Sequence, residues 1–331
     1  MLKVDSCGID VGSKEFVLTL HREGKSEPVR RTFSNGESGR RAVCRFLPKP
    51  GHVVRVCLES TGNYGLDLAV DLDATDGVEV MVANPRAVRR FAQALMMRNK
   101  TDRIDGDVLE QFAARMPFTR WQKPSPAAME LRGISRRIKT LTDACTAEKN
   151  RLHAACASKT TPAVVRRDIQ NSITRHQKSV RRLTEEALKL ISREPELKKT
   201  FDLLLTAKGI ARKSALLILG ELAVLPKDMD GRQRVAHAGL DPRQETSGTS
   251  VQKKPRITKA GNKYLRSALF MPALTARRHD PYLKAFADHL KAKGKEPMQI
   301  IVALMRKLLV AVSGMLKNQQ PYDGKKLFAL S

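Results

Sequence analysis

The feature that most constrains the fold is a change in hydrophobic period at the proline-bounded segment 123–126. Before it, short apolar runs typical of strands alternate with amphipathic runs typical of helices, which predicts an α/β sheet domain over residues 1–122. After it, two long runs keep apolar residues three and four apart, separated by Thr160-Thr161-Pro162, which predicts an antiparallel coiled-coil hairpin over residues 123–194. The pattern from Pro195 predicts a mainly α-helical C-terminal domain over residues 195–331.

Composition restricts the class of partner. The chain has 331 residues and a formal net charge of +27, and its basic residues are spread along its whole length. We therefore expect it to bind a polyanion, most simply DNA or RNA, on more than one surface. No run of eighteen apolar residues and no secretory leader occur, so we expect neither a membrane-spanning nor a secreted protein. Five scattered cysteines without a CxxC pair favour free thiols in a reducing cytoplasm.

Two aspartates lie at the start of a predicted helix in the first domain. Thr101 is a suitable N-cap, and apolar residues follow it at helical spacing, namely Val108, Leu109, Phe112 and Ala113. On this helix Asp102 and Asp105 share a face, where two carboxylates repel unless a cation lies between them. Mg²⁺ is the ion that such oxygen ligands favour. The helix dipole also favours acids in a first turn, so this pair alone has a purely structural explanation.

Two further carboxylates each end an apolar strand. Asp10 follows the run that begins at Cys7, and Glu59 ends the run that begins at Val53. Ligands of open α/β sheets collect at the carboxyl ends of strands, and an acid is tolerated there if it binds something. We therefore predict that Asp10 and Glu59 join the helix-borne pair in one site.

Two helical regions of the second half have open interpretations. Residues 203–217 resemble a helix-hairpin-helix, a motif that presents backbone N–H groups to phosphate, but Ala211 replaces one of its usual glycines. Both a DNA contact and a purely packing role stay open for this segment. The outer faces of the predicted hairpin carry many arginines and lysines, which suit either nucleic-acid contact or subunit contact.

A polar segment precedes a basic segment near the middle of the last domain. Residues 238–250 are rich in glycine and hydroxyl groups and are predicted to form a loop, whereas residues 253–266 are dense in lysine and arginine. Such a pair of segments suits a backbone phosphate, and a serine hydroxyl there could attack phosphorus; a phosphate-binding or flexible loop is the alternative. The predicted nucleic-acid-binding residues are Lys100, Arg243, Lys253, Lys254, Arg256, Lys259, Lys263 and Arg266.

The order of several short motifs resembles one family over nearly the whole chain. In the first half these are Gly8-Ile9-Asp10, residues 59–64, residues 82–85 and residues 99–105. In the second half they are residues 239–243, 247–250 and 258–262. They are similar to motifs of the DEDD-type transposases of insertion sequences, relatives of the pilin-gene DNA invertases. The best-known members of this family are bridge-RNA-guided recombinases.

The resemblance implies a RuvC-like, RNase H-like N-terminal domain in which Asp10, Glu59, Asp102 and Asp105 bind Mg²⁺. It implies that Ser247 is the nucleophile. It also implies a noncoding guide (bridge) RNA that pairs with donor and target DNA, in a prokaryotic, nucleoid-associated protein. The implied assembly is a tetramer built from dimers, in which the acids of one subunit meet the serine of another. Gly106, where the family usually has alanine, and Ala211 depart from its pattern.

We interpret the sequence as a site-specific DNA recombinase or transposase. One alternative is a metal-dependent nuclease of the Holliday-junction type, which needs the same acids but uses water as nucleophile. The other is a non-enzymatic RNA- or DNA-binding scaffold, which needs only the positive charge. The nuclease leaves no protein attached to DNA, and the scaffold tolerates substitution of the acids.

Overall fold

The computed structural model describes residues 2–59, 64–96, 102–247 and 251–328, with the backbone alone described for 102–104, 243–247 and 251–255. The predictions for Lys100, Thr101 and the Gly248–Ser250 part of the serine-bearing loop lie outside the described residues. The chain divides into two compact units, Met1–Lys123 and Pro124–Ser331. This boundary lies at the change in hydrophobic period.

The first unit is built on a mixed five-stranded sheet. Its strands are β1 (Lys3–Val11), β2 (Glu15–His21), β3 (Val29–Ser34), β4 (His52–Glu59) and β5 (Val78–Ala83), arranged in the order β3-β2-β1-β4-β5. The pairs β1–β2 and β2–β3 are antiparallel, whereas β1–β4 and β4–β5 are parallel. The predicted alternation of strands and helices is confirmed, and the sheet is consistent with an RNase H-like fold.

Helices cover both faces of this sheet. They are α1 (Glu37–Phe46), α2 (Leu66–Asp73), α3 (Pro85–Ala94) and α4 (Asp102–Arg115). Because strand side chains alternate between faces, each face has its own hydrophobic core. One core joins apolar residues of all five strands, with Phe33 of β3 only partly buried, to α1 and α2. The other core joins β4 and β5 to α3 and α4. The four apolar residues predicted to lie on the buried face of α4 are all buried.

The second unit is mainly helical, as predicted. Two long helices, α5 (Pro126–Ala157) and α6 (Ala163–Arg193), pack against each other and are joined by a short turn. The following helices are α7 (Pro195–Thr206), α8 (Arg212–Leu222), α9 (Gly231–His237), α10 (Lys263–His279), α11 (Pro281–Ala292) and α12 (Pro297–Asn318). The sequence pattern did not predict the short helix α9. All five cysteines are free thiols, as predicted.

One hydrophobic core joins the base of the α5–α6 pair to the C-terminal helices. Leu131 and Ile138 of α5 and Ala187 and Ile191 of α6 belong to the same buried cluster as residues of α7, α8, α10, α11 and α12. The separation of residues 123–194 from residues 195–331 as distinct domains therefore stays a prediction. The described part of the chain has one helix, α12, that is long and apolar enough to cross a membrane, and half of its most apolar window is buried.

The predicted loop over residues 238–250 is wrong in part. Residues Pro242–Ser247 form strand β6, which pairs antiparallel with strand β7 (Val251–Ile257) in a two-stranded ribbon. Polar residues dominate both strands, so the alternation of apolar and polar residues that indicates a strand is absent. The Gly-bearing run after Ser247 is the connection between the two strands.

Candidate functional site

Asp10 and Glu59 lie at the carboxyl ends of neighbouring parallel strands. In the register of β1 and β4, Gly8 is opposite Cys57 and Ile9 is opposite Leu58, and the next residues along the two strands are Asp10 and Glu59. Side chains two residues apart on a strand share a face, so both carboxylates lie on the face of Gly8 and Cys57. Both residues are half-buried.

Helix α4 packs on this same face with its backbone against β1. A Cβ atom placed on Gly8 would lie 2.2 Å from the carbonyl oxygen of Gly106 and 2.2 Å from the amide nitrogen of Glu110. No residue with a side chain fits at that distance, so the absence of a side chain at Gly8 is what allows the helix to lie so close to the strand. Gly106, on the helix side, would place its own Cβ 3.1 Å from the Thr19 hydroxyl oxygen.

A polar contact with β1 indicates the direction of α4 on the sheet. Ser6 donates a hydrogen bond from its hydroxyl to the Glu110 carboxylate, whereas Gly8, two residues further along β1, lies against α4 from Gly106 to Glu110. Moving along β1 from Ser6 towards Asp10 therefore means moving backwards along α4 towards its first turn. That first turn contains Asp102 and Asp105. The elements that carry the four predicted acids thus meet at one edge of the sheet.

Asp107 attaches α4 to the antiparallel half of the sheet, a role that the sequence analysis missed. Thr19 of β2 donates its hydroxyl hydrogen to the Asp107 carboxylate over 2.9 Å. Arg30 of β3 donates from Nε and Nη2 to the two oxygens of the same carboxylate, each over 2.9 Å. The hydrogen bond to Asp107 raises the pKa of Arg30. Helical spacing places Asp107 away from the predicted acids, but it does not indicate which strand it contacts.

The donor set at this edge fits a hard divalent cation. All four predicted ligands are carboxylates, the oxygen ligands that Mg²⁺ favours. Burial, together with the neighbouring Glu59, raises the pKa of Cys57 to about 12, so the nearest thiol is neutral and a poor ligand. Among the residues whose side chains are described, which exclude Asp102, no group of three His, Cys, Asp or Glu is arranged to hold a metal ion. The binding of an ion by the four acids stays a prediction.

Ser247 is in the second unit, at the end of β6. The last pair of the ribbon joins Ser247 to Val251 across the connection that follows it. Ser247 is therefore the last paired residue of β6. The side chain of Ser247 lies outside the described residues.

The base of the ribbon is attached to the helices beside it. The Thr258 hydroxyl donates to an Asp241 carboxylate oxygen over 2.7 Å, which closes the ribbon where its strands leave the helical region. Arg266 of α10 donates from Nη1 to the carbonyl oxygen of Ala238 over 2.7 Å. Because Arg266 is used in this contact, it contributes to positioning the ribbon as well as to the local charge.

The predicted nucleic-acid-binding residues are distributed over the ribbon and the start of α10. Arg243, Lys253 and Lys254 are in β6 and β7, where only the backbone is described. Arg256, Lys259 and Lys263 are exposed to solvent, and Arg266 is half-buried. Their contact with a nucleic acid stays a prediction.

A buried carboxylate near the start of α10 was not among the predicted site residues. Glu221 of α8 is only 1% exposed and accepts hydrogen bonds from Arg136 over 2.7 and 2.9 Å. Asn262 donates to the same carboxylate over 2.6 Å. Burial alone would raise the pKa of Glu221, but these hydrogen bonds and the nearby guanidinium groups outweigh it, so the pKa is lowered. Within α8, an acid in an otherwise apolar run was the available signal.

Comparison with known proteins covers both units. A family model described as "Transposase", of the DEDD type of IS110, matches residues 7–159, and another, "Transposase IS116/IS110/IS902 family", matches residues 201–288. The "Pilin gene-inverting protein" of Moraxella bovis is 28% identical over 296 residues, which cover 88% of this chain and 90% of that protein. Its namesake from Moraxella lacunata shows the same identity and coverage. The first matched range includes the four predicted acids, and the second includes Ser247.

Proposed function

Because the chain belongs to the IS110 family of DEDD transposases, we propose that it is a site-specific recombinase that cuts and rejoins DNA at the ends of an insertion sequence. The observation that carries this proposal is that the carboxyl ends of β1 and β4 and the start of α4 lie at the same edge of the sheet. The carboxyl ends of strands are where α/β sheets hold their ligands.

In this proposal Asp10, Glu59, Asp102 and Asp105 hold Mg²⁺, which when bound would polarise the scissile phosphate and stabilise the charge that develops on it. The carboxylates orient the phosphate by fixing that ion, and α4 sets their spacing. The contact between α4 and β1 leaves no space for adjustment at Gly8, so the helix-borne acids have one position relative to Asp10 and Glu59. This rigidity suits a site that must hold a phosphate in one orientation.

Ser247 is the proposed nucleophile. Its hydroxyl oxygen attacks phosphorus, the bond from phosphorus to one deoxyribose oxygen breaks, and that oxygen leaves as a hydroxyl group after receiving a proton. The phosphodiester energy is kept in a phosphoserine link, from which a deoxyribose hydroxyl of another strand releases the serine and rejoins the DNA. The position of Ser247 at the end of β6, within the second matched family range, supports this role.

The finer features of the proposal follow the family. They are a RuvC-like catalytic domain, an antiparallel coiled coil formed by α5 and α6, and a guide RNA whose base pairing selects donor and target DNA. A tetramer built from dimers would bring the acids of one subunit to the serine of another. The net charge of +27 supports contact with long nucleic acids, and it suits a protein that holds backbones while base pairing supplies sequence choice. We place the protein in the prokaryotic cytoplasm.

The nucleophile is tested by trapping the link between protein and DNA. End-labelled DNA carrying an end of the element is incubated with enzyme, Mg²⁺ and the noncoding RNA encoded beside the gene, and protein-linked DNA is separated on a denaturing gel. We expect Ser247→Ala to lose the adduct and strand exchange but to keep RNA and DNA binding. Ser250→Ala, which changes the other serine of the same run, is the matched control and should keep both.

Each alternative function gives a different result in this assay. An adduct formed by Ser247→Ala at the normal rate removes Ser247 from the mechanism. Cut DNA without any adduct, even in the unmodified protein, identifies a nuclease that uses water. DNA products that are unchanged by Glu59→Gln and Asp102→Asn indicate that the protein's acids have no catalytic role and support a binding scaffold.

A further inference from the structure

A groove of about 420 Å³ lies between α5 and the start of α10 in the second unit. Ligand sites in proteins have volumes of about 300–1,000 Å³, so the groove is large enough for a nucleotide. It is lined by Lys139, Thr140 and Asp143 of α5 and by Lys263, Tyr264 and Ser267 of α10. The lining therefore combines one aromatic ring with ammonium groups and hydroxyls, the groups that recognise a base and its phosphate.

The Tyr264 ring packs against an arginine that is paired with a buried carboxylate. The Arg136 guanidinium carbon lies 4.6 Å from the centre of this ring, a cation–π contact. Arg136 cannot turn away without losing two hydrogen bonds to Glu221, whose side chain is 1% exposed. Turning away would leave the buried Glu221 carboxylate without these partners, so the guanidinium is held beside the ring.

The start of α10 is attached to the same carboxylate. The Asn262 side-chain amide donates a hydrogen bond to the Glu221 carboxylate over 2.6 Å, and its oxygen accepts a hydrogen bond from the backbone N–H of Tyr264 over 2.9 Å. The backbone that carries Tyr264 and the guanidinium that packs against its ring are therefore both fixed by Glu221. An aromatic ring held in this way loses little conformational entropy when a base stacks on it.

The charged groups of the groove are placed to accept a phosphate. Lys263 is exposed, and its Nζ atom lies 5.2 Å from the centre of the Tyr264 ring. Lys139 forms an ion pair of 2.6 Å with Asp143, which is the one acid that lines the groove. This exposed pair contributes little to stability, so a phosphate can replace Asp143 as the partner of Lys139 at small cost.

We propose that this groove binds an unpaired nucleotide of a single-stranded nucleic acid, with the base stacked on Tyr264 and the flanking phosphate paired with Lys139 and Lys263. A base within a duplex has both faces covered by its neighbours, so only a single-stranded segment can stack in this way. The inference rests on the nucleic-acid binding of the proposed function and does not depend on the acids or on Ser247. The strand is either RNA or a DNA strand exposed during exchange.

The stacking contact is tested by the affinity of fluorescein-labelled oligonucleotides of one sequence, prepared as single-stranded RNA, single-stranded DNA and duplex DNA. We expect Tyr264→Ala to weaken the binding of at least one single strand about 5- to 150-fold, since removing a stacking residue has an effect of this size. Tyr264→Phe keeps the ring and should bind like the unmodified protein. Duplex binding should change less than twofold in both variants, and the strand that is affected identifies RNA or DNA as the ligand.

The phosphate contact is tested by charge changes that leave the ring intact. Lys139→Gln should weaken single-strand binding, whereas Asp143→Asn should strengthen it because the competing carboxylate is removed. Lys198→Gln is the matched control, because Lys198 also pairs with an aspartate four residues later, Asp202, over 2.8 Å, but does not line the groove. It changes the net charge equally and should have the smaller effect.

The outcomes separate this inference from the proposed function. The inference is overturned if Tyr264→Ala binds single strands as tightly as the unmodified protein does. It is also overturned if Tyr264→Ala loses affinity for single strands and for duplex DNA by the same factor. The inference is also overturned if Lys139→Gln and Lys198→Gln weaken single-strand binding equally. This comparison applies even if Tyr264→Ala fails to fold. An unmodified protein that binds no nucleic acid refutes the proposed function instead.

Discussion

Substitution of Gly8 by alanine is the sharpest test of how β1 and α4 hold the predicted acids. The added methyl carbon would lie 2.2 Å from two backbone atoms of α4, the Gly106 oxygen and the Glu110 nitrogen. Ordinary contacts of this type begin near 3.4 Å, so α4 and β1 must separate by about 1 Å. Backbone atoms cannot rotate away as side chains do, and the separation therefore moves the whole helix.

The displacement should affect both stability and activity. Overpacking a well-packed core costs about 1–3 kcal/mol or more, and the backbone contacts favour the upper end of that range. For a unit of this size we expect the Tm to fall by about 10 °C. A displacement of about 1 Å at a catalytic group can reduce a rate about 100-fold. Strand exchange should fall by at least that factor, because Asp102 and Asp105 move with α4.

The assay compares purified variants at a temperature where circular dichroism shows each to be folded. Strand exchange is measured on a plasmid that carries the ends of the element, and DNA binding is measured in parallel. Binding should be nearly unchanged, because the basic residues of the second unit are not affected. The control is Gly133→Ala in α5, where a new Cβ has no neighbour within 4 Å.

The control separates a steric effect from a general effect of replacing glycine. Gly133→Ala should raise the stability by up to about 1 kcal/mol, since alanine is the better helix former, and should leave strand exchange unchanged. If Gly8→Ala kept the normal Tm and the normal rate of strand exchange, the close contact between α4 and β1 would not position the acids.

Two further predictions concern other contacts of the first unit. Asp107→Asn should lower the free energy of unfolding by only about 1 kcal/mol, because the ion pair with Arg30 is partly exposed. It should also raise the Mg²⁺ concentration needed for half-maximal strand exchange. An unchanged Mg²⁺ requirement would leave Asp107 with a structural role only. Burial would raise the pKa of Asp5, but hydrogen bonds from Arg22, the Glu23 amide and His52 outweigh this effect and lower it. The folded state thus favours the carboxylate, so the stabilisation is present near pH 7 and is lost as the pH falls below about 4. Urea titrations should show Asp5→Asn to be less stable than the unmodified protein at pH 7, with the difference shrinking at pH 3; a difference independent of pH would contradict this account.

Most elements of the first unit were predictable because their apolar patterns are strong. The run after Asp102 follows the helical period closely, and its four apolar residues are buried on α4 as expected. Strands β1, β2, β4 and β5 are visible in the sequence as alternating or continuous apolar runs, whereas β3 carries little apolar pattern. Local pattern was enough where one face of an element meets a core.

The contacts between elements were not predictable in the same way. The ribbon that carries Ser247 was missed because polar residues dominate the sequences of both strands, so no apolar pattern marks them. The role of Asp107 depends on Arg30, a residue 77 positions away in the sequence. The role of Glu221 depends on Arg136 of α5 and on Asn262, the N-cap residue of α10. Each of these contacts is set by tertiary packing, which a single sequence does not display.

The α5–α6 pair is attached to the common core at its base, and its outer part lies beyond that core. Its base is anchored by Leu131 and Ala187, whereas Cys145 and Ile173 further out are buried but not part of the common core. Removing seven residues from each arm in this outer part would shorten the reach of the pair by about 10 Å without opening the core. Span and stability can therefore vary independently, and paired changes in arm length are a simple way for related proteins to alter how far the pair extends.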